Sequence, residues 1–277
     1  MSSAAQKMFA ASPRLRAALW IYAISFYVIL YAPLLMIVVL SFNNSPIVGF
    51  PLHGFTIRWY QKVFATSEFL SAMVNSFAVG ALAAVVSTGL ALLLGLGFRR
   101  TFPLKSALFN LVLMPIVMPG IVGGIVLLLF FGYLNIRPSL YTTVLIAHIN
   151  WVLPFAFLTL YPRVHNFDST LEEAAMDLGA RPLEVFIHIV FPIIRPAFIA
   201  TMLFSFSLSF DEFVRTLFVT GYDRTIPVMF WSKIVDQLAP ELPAMAVVII
   251  LISATMSLLG ALVSQRASVR SQYVSGE

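Results

Sequence analysis

The sequence predicts an all-α integral membrane protein with six transmembrane helices and both termini in the cytoplasm. Three observations carry that prediction. Of 277 residues, 60% are hydrophobic and only 10% are Asp, Glu, Lys or Arg, whereas an ordinary soluble domain is about 25% charged. The few charges are separated by apolar runs long enough to cross a bilayer core, which takes roughly 20 helical residues. Lys and Arg are also distributed unevenly over the connecting segments, as expected when positive charge is retained on the cytoplasmic side.

No formal charge falls in Ala17–Ile57, Phe69–Phe98, Ser106–Ile136, Pro138–Pro162 or Leu242–Gln265, and each run can hold one span. The first follows Lys7, Arg14 and Arg16 as a signal peptide would. It continues past Phe42 without a clear small-x-small cleavage site, so it reads as a retained helix. In the second, Gly80, Ala84, Ser87, Thr88, Ala91 and Gly95 recur every three or four residues, a stripe that lets another helix approach closely. The third holds Pro115, Pro119, Gly120, Gly123 and Gly124, so a backbone kink is expected there. A further candidate, Pro196–Phe210, is too short to span unless it takes in Val190–Arg195 below or Asp211–Gly221 above.

With the N-terminus inside, the cytoplasmic segments carry Lys7, Arg14, Arg16, Arg99, Arg100, Lys105, Arg163, Arg181, Arg195, Arg266 and Arg270. The outer segments carry only Arg58, Lys62, Arg137, Arg224 and Lys233. The expected organisation is a cytoplasmic tail 1–16, a single membrane domain 17–265 with a loop 163–195, and a second tail 266–277. The net charge of +5 does not indicate nucleic acid, because the basic residues are scattered between apolar runs. With no cysteine, disulfides and thiolate chemistry are excluded.

The loop between the fourth and fifth spans is the most charged stretch of the chain and reads as helix, turn, helix. Ser169 and Glu172 have capping-box spacing, and Glu172 and Glu173 sit where the helix dipole favours anions. Gly179 suits a left-handed helix end, and Pro182 is placed to open the next helix. Leu171, Ala174, Ala175 and Leu178 form a narrow apolar face. Such a helix is suited either to receive a soluble partner or simply to be solvated.

Glu173-Ala174-Ala175, then Gly179, then Ile189, Phe191 and Pro192 at fixed spacing resemble the EAA motif of the membrane subunits of bacterial ABC importers. Phe191 stands where the usual pattern has leucine. Ser41-Phe42-Asn43, Phe55-Thr56-Ile57-Arg58-Trp59-Tyr60 and Leu208-Ser209-Phe210-Asp211-Glu212 extend the resemblance to the polyamine permeases of the spermidine and putrescine type. The resemblance implies a type I ABC importer permease fold whose coupling helix, between the fourth and fifth helices, docks on a cytoplasmic ATPase. Glu173 would contact or orient the partner, Ala174 and Ala175 would permit close approach, and Gly179 would provide the turn. Ile189 and Pro192 would pack the second arm toward the fifth span. It implies a dimer of ATPase subunits, a second and non-identical permease subunit, and a periplasmic or lipoprotein substrate-binding protein.

No cofactor site is legible in the chain. It has no G-x-x-x-x-G-K-[ST] and no H-E-x-x-H, and His53, His148, His165 and His188 lack metal-site spacing. ATP and Mg are therefore implied on the partner ATPase, and the chain reads as a transport subunit rather than an enzyme.

Asp211, Glu212 and Arg215 follow directly on the short fifth run. They lie about 24 Å along the helix from Arg195, in the outer part of the membrane. Such charges should face protein or water, and Asp211 and Arg215 have the i, i+4 spacing of a pair. The pathway reading makes Asp211 and Glu212 carboxylates for a cationic substrate, with Trp151, Tyr222 and Trp231 as aromatic neighbours. The plainer reading ends the span at Phe210 and leaves the acids in the headgroup region. Arg215 offsets one of the two negative charges, which keeps open an aminophosphonate or amino-acid-like zwitterion in place of a polyamine. A secondary transporter driven by an ion gradient is the rival class, although ionisable residues confined to one span fit it poorly.

Overall fold

The computed structural model describes residues 13–236 and 238–274, with side chains within Leu15–Val263. Lys7 and the side chains of Arg14, Arg266 and Arg270, which entered the orientation argument, lie outside the described residues, as do residues 1–12 and 275–277 of the two tails. The chain falls into two compact units. One holds the described residues up to Val63 together with 238–247, and the other holds Phe64–Asp236 together with residues from Val248 onward.

In the first unit, α1 (Pro13–Ser41) is apolar on every side, and its most hydrophobic window has none of its residues buried, the pattern of a helix solvated by lipid. The segment after it is folded back and tied down. Thr56 N–H donates to Phe42 O at 2.7 Å, Asn44 N–H to Gly54 O at 3.0 Å, and Trp59 Nε1 to Asn43 O at 2.7 Å. The Asn43 side chain donates to Gly49 O and accepts from His53 N–H, while Ser41 Oγ meets the Tyr60 hydroxyl at 2.7 Å. The two separate segments Ser41–Asn43 and Phe55–Tyr60 are thereby one structure. It leads into α2 (Arg58–Ala65), whose Trp59 and Val63 are buried.

The second unit is built around α3 (Ser67–Gly97). Its stripe of Gly80, Ala84, Ser87, Thr88, Ala91 and Gly95 is buried. A Cβ at Gly80 would lie 3.0 Å from the Phe206 ring, and one at Gly95 would lie 3.4 Å from Val164. Small residues therefore set how closely the neighbouring helices approach, as the stripe predicted.

The third apolar run differs from a single kinked span. It forms α4 (Lys105–Val117) and α5 (Gly120–Tyr133), two helices meeting at 106°. Pro119 has no N–H to give and its ring disfavours helical backbone at the residue before it, so Met118 is extended and the axis turns sharply. Glycines 120, 123 and 124 lie against a later helix. A Cβ on Gly124 would overlap the Phe218 ring.

The fourth span is α6 (Leu145–His165), entered through one π-helical turn at Leu140–Val144. The loop helix is α7 (Thr170–Asp177), ended by Gly179 at φ +90°, where Gly179 N–H donates to Met176 O and Ala180 N–H to Ala175 O. Its cap is not the predicted Ser169–Glu172 box, since the Ser169 side chain makes no capping bond. Asp168 accepts from Thr170 N–H at 3.0 Å and from the Thr170 hydroxyl at 2.8 Å, which frees Glu172 for another partner. A bond of that kind appears at the start of the next helix, where Arg181 N–H donates to Glu184 Oε2 at 2.8 Å.

Pro182 opens α8 (Pro182–Val185), which continues through a π-helical turn at Phe186–Val190 into α9 (Phe191–Phe210). Pro182–Phe210 is thus one apolar helix of 29 residues. The fifth span lengthens downward through Arg195, and Ile189 and Pro192 belong to it rather than to a separate arm. After Phe210 come α10 (Val214–Val219), α11 (Ile226–Asp236) and α12 (Leu242–Val274). Five described helices are long and apolar enough to cross a membrane, and the bent α4–α5 pair makes six if it is one broken span.

Because the Gly124 position has no room for a side chain, Gly124→Ala should cost about 1–3 kcal/mol. Thermal melting of the detergent-solubilised protein should show this as a lowered midpoint, and Gly132→Ala, where nothing lies within 4 Å, should not.

Candidate functional site

Two groups of predicted residues lie at opposite ends of α9. At its C-terminal end, Asp211 and Glu212 follow the last helical turn, and Arg215 stands in α10. The predicted Asp211–Arg215 pair does not form. Arg215 Nη1 donates to Glu212 Oε2 at 3.2 Å, and Arg215 N–H donates to Glu212 Oε1 at 2.8 Å. Both side chains are buried, with residue exposures of 7% for Glu212 and 4% for Arg215. The helix breaks after Phe210, so the i, i+4 geometry of an unbroken helix does not apply and the i, i+3 partner wins. Asp211 is exposed and accepts a hydrogen bond from Ser253 Oγ of α12.

The aromatic expectations divide in the same way. The Trp151 ring lies 3.9 Å from the Arg215 guanidinium, so its cation–π contact is with the chain's own arginine. Trp231 packs on Phe213 with ring centres 5.4 Å apart, and Tyr222 is fully exposed. Gly120 and Gly123 let α5 lie over the guanidinium, since a Cβ there would come within 3.7 and 3.5 Å of Arg215 nitrogens. The broken third span therefore closes over the arginine.

His148 was given no role by the sequence. It is buried in α6, with Nδ1 at 2.6 Å from Ser209 Oγ and Nε2 at 2.7 Å from Thr216 Oγ1. The Thr216 hydroxyl donates in turn to Glu212 O at 2.7 Å. A histidine in the middle of a charge-free run needs polar partners, and that was the available signal. Its partners come from α9 and α10, far away in sequence.

At the other end of α9, the loop helix α7 exposes most of its surface. Glu173, Ala174, Gly179 and Leu178 are exposed, Leu178 at 90%, while Ala175 packs partly against the core. Ile189 and Phe191 also pack on that core, so the start of the fifth span is anchored while the helix face stays open. A cavity of about 410 Å³ beside the loop is lined by residues including Arg163, Phe167, Leu171 and Ile194.

Residues 87–269 match the model of the family described as binding-protein-dependent transport system inner membrane component. The chain belongs to this family. It is 30% identical over 242 residues to the spermidine/putrescine transport system permease protein PotC of Haemophilus influenzae, covering 87% of this chain and 93% of that one. It is 33% identical over 234 residues to the putrescine transport system permease protein PotI of Escherichia coli, covering 81% and 82%. Among solved structures, a bacterial ABC transporter involved in import of the acidic polysaccharide alginate matches with TM-score 0.71 at 14% identity, over 94% of this chain. The MetNI methionine ABC transporter matches with TM-score 0.56 at 12% identity, over 76%. Those two likenesses concern the fold. As a member of this permease family the chain is a multi-pass transport subunit and not an enzyme.

Removing one partner of a buried ion pair strands the other charge, at a cost of about 3–5 kcal/mol. Arg215→Ala should therefore lower the melting midpoint far more than Asp211→Asn does. The double change Glu212→Gln with Arg215→Met should recover most of the loss.

Proposed function

We propose that the chain forms half of the translocation pathway of an ATP-driven importer for polyamines such as putrescine and spermidine, or for related small amines. The observation that carries this reading is the similarity to polyamine permeases over more than four fifths of the chain. The exposed Asp211 carboxylate beside the buried polar corner supports it, as a group able to meet an ammonium. In this reading Asp211 is the carboxylate presented to the solute, and Glu212 contributes by fixing the corner with Arg215. Trp151 shapes the same corner through the arginine, and Trp231 through Phe213.

The proposed assembly has a second, non-identical permease subunit, two copies of an ATPase that binds ATP and Mg, and a periplasmic or lipoprotein binding protein. It sits in a bacterial inner membrane, with both termini and α7 on the cytoplasmic side. Glu173, Ala174, Ala175 and Gly179 form the surface docked on the ATPase, and Ile189 and Pro192 tie that surface to the fifth span. ATP-driven closure of the ATPase pair would then alternate access to the pathway.

A second reading within the same class is an amine that also carries an acid group, such as an aminophosphonate or an amino-acid-like zwitterion. It is favoured by the Glu212–Arg215 pair, which leaves one negative charge among Asp211, Glu212 and Arg215.

Asp211→Asn should lower the initial rate of radiolabelled putrescine uptake about tenfold or more while the complex still assembles; unchanged uptake removes Asp211 from the pathway. Competition by spermidine, but not by an aminophosphonate, separates the two solute readings. Glu173→Lys and Gly179→Ala should each reduce co-purification of the ATPase, Gly179 because its φ of +90° suits no other residue as well.

A further inference from the structure

The covalent chain links the loop helix α7 to α6 and α9 only. The structure adds a link to α3. Arg99, just past the end of α3, forms an ion pair with Glu172 in the first turn of α7. About four fifths of each side chain is shielded, at 19% and 21% exposure, so the pair is less screened than a surface one. The Arg99 guanidinium also lies 5.6 Å from the centre of the Phe167 ring, in the turn that leads into α7. Its neighbour Phe98 is buried among aromatic rings, 5.5 Å from Phe102, 5.8 Å from Phe109 and 5.4 Å from Phe157.

The other part of α3 meets the polar corner. Phe77 packs on Phe210 at 5.4 Å, one residue before Asp211, and on Phe206 at 5.6 Å. From Phe77 to Gly97 the backbone is an unbroken α-helix whose length is about 30 Å. A rigid element packed at both ends is the kind of contiguous structure that carries coupling between distant sites.

We propose that Arg99 is a positioning residue that clamps α7 to α3, so that force applied to the loop moves the second span together with the fourth and fifth. This rests on the proposed docking of α7 to the ATPase. Arg99 orients Glu172 and Phe167, and through α3 it connects the loop to the Phe77–Phe210 contact beside Asp211. Glu172 is outside the motif Glu173-Ala174-Ala175, so it is free to hold the helix while its neighbours face the partner.

The test uses the whole transporter in lipid vesicles with its ATPase and binding protein, measuring ATP hydrolysed per radiolabelled putrescine imported. Arg99→Ala should raise that ratio about fivefold or more, within the usual range of coupling between sites. Arg99→Lys should restore it in part, and the charge swap Arg99→Glu with Glu172→Arg should restore most of it. A merely structural role would lower the yield of assembled transporter and leave the ratio per complex native, and a native ratio in Arg99→Ala would overturn the proposal.

A second measurement does not depend on the solute. The chain has no cysteine, so Leu104→Cys and Asp177→Cys can carry a spin-label pair in the assembled complex. The distance distribution should be narrow with Arg99 present and broad in Arg99→Ala; identical distributions overturn the clamp. Glu173→Lys serves as a parallel control. If that variant keeps native ATPase association and uptake, the docking reading fails and the clamp falls with it. If it loses both while the Arg99 series behaves as native, the clamp alone is wrong.

Discussion

Hydrocarbon offers no hydrogen bonds, so a charged group that this chain carries into its helical core is costly unless it finds a partner within the protein. The corner after α9 is where that constraint is most demanding. A buried arginine, a buried glutamate and a buried histidine meet there, and each is answered by the others, by Ser209, Thr216 and the Trp151 ring, or by backbone. The breaks in the helices follow from the same need. Where α4 gives way to α5, the freed backbone lies beside glycines that let α5 settle over Arg215. Protein covers the first turns of α5 at Gly123 and Gly124, whereas Val117 and Pro119 at the break itself are exposed.

That constraint also separates the two acids. Glu212 is committed to Arg215, and Asp211 is exposed with one hydroxyl donor from α12. A carboxylate already satisfied by a guanidinium has little left to offer a passing ammonium, whereas one held by a single serine keeps most of its acceptor capacity. Adjacent acids of the same chemistry therefore have different partners and different burial, because the helix ends between Phe210 and Val214 and turns them toward different surroundings.

The loop end of the second unit is organised by shape more than by charge. Its core is a cluster of phenylalanines and Tyr161 between α3, α4 and α6, and it holds the ends of those helices as one body. On that base α7 keeps Glu173 and Ala174 outward, with Leu178 exposed just past its end, while Ala175 packs partly against the core. Small residues along α3 extend that base through the helix bundle by letting α6 and α9 approach it closely.

Much of this was legible in the amino-acid order, because it depends on local or periodic physics. The charge-free runs marked the spans, the small-residue stripe marked the buried face of α3, and Gly179 and Pro182 marked the end of one loop helix and the start of the next. The motif residues of the loop and of the two segments around Asn43 and Trp59 pointed to the permease family before any fold was known. What the sequence misassigned depended on partners distant along the chain. Ser169 had the spacing of a cap, but Glu172 was taken by Arg99 and Asp168 capped instead. Arg215 had the spacing to pair with Asp211, but the helix stopped first. His148 had no visible role until Ser209 and Thr216 closed on it from two other helices. By itself the sequence determined that this chain is a multispan helical permease and where its loop helix begins and ends, since burial and backbone preference act over a few turns. Only the tertiary structure decided which acid is neutralised, how sharply the third run breaks, and what holds the loop helix to α3, since those outcomes are set by which side chains meet in space.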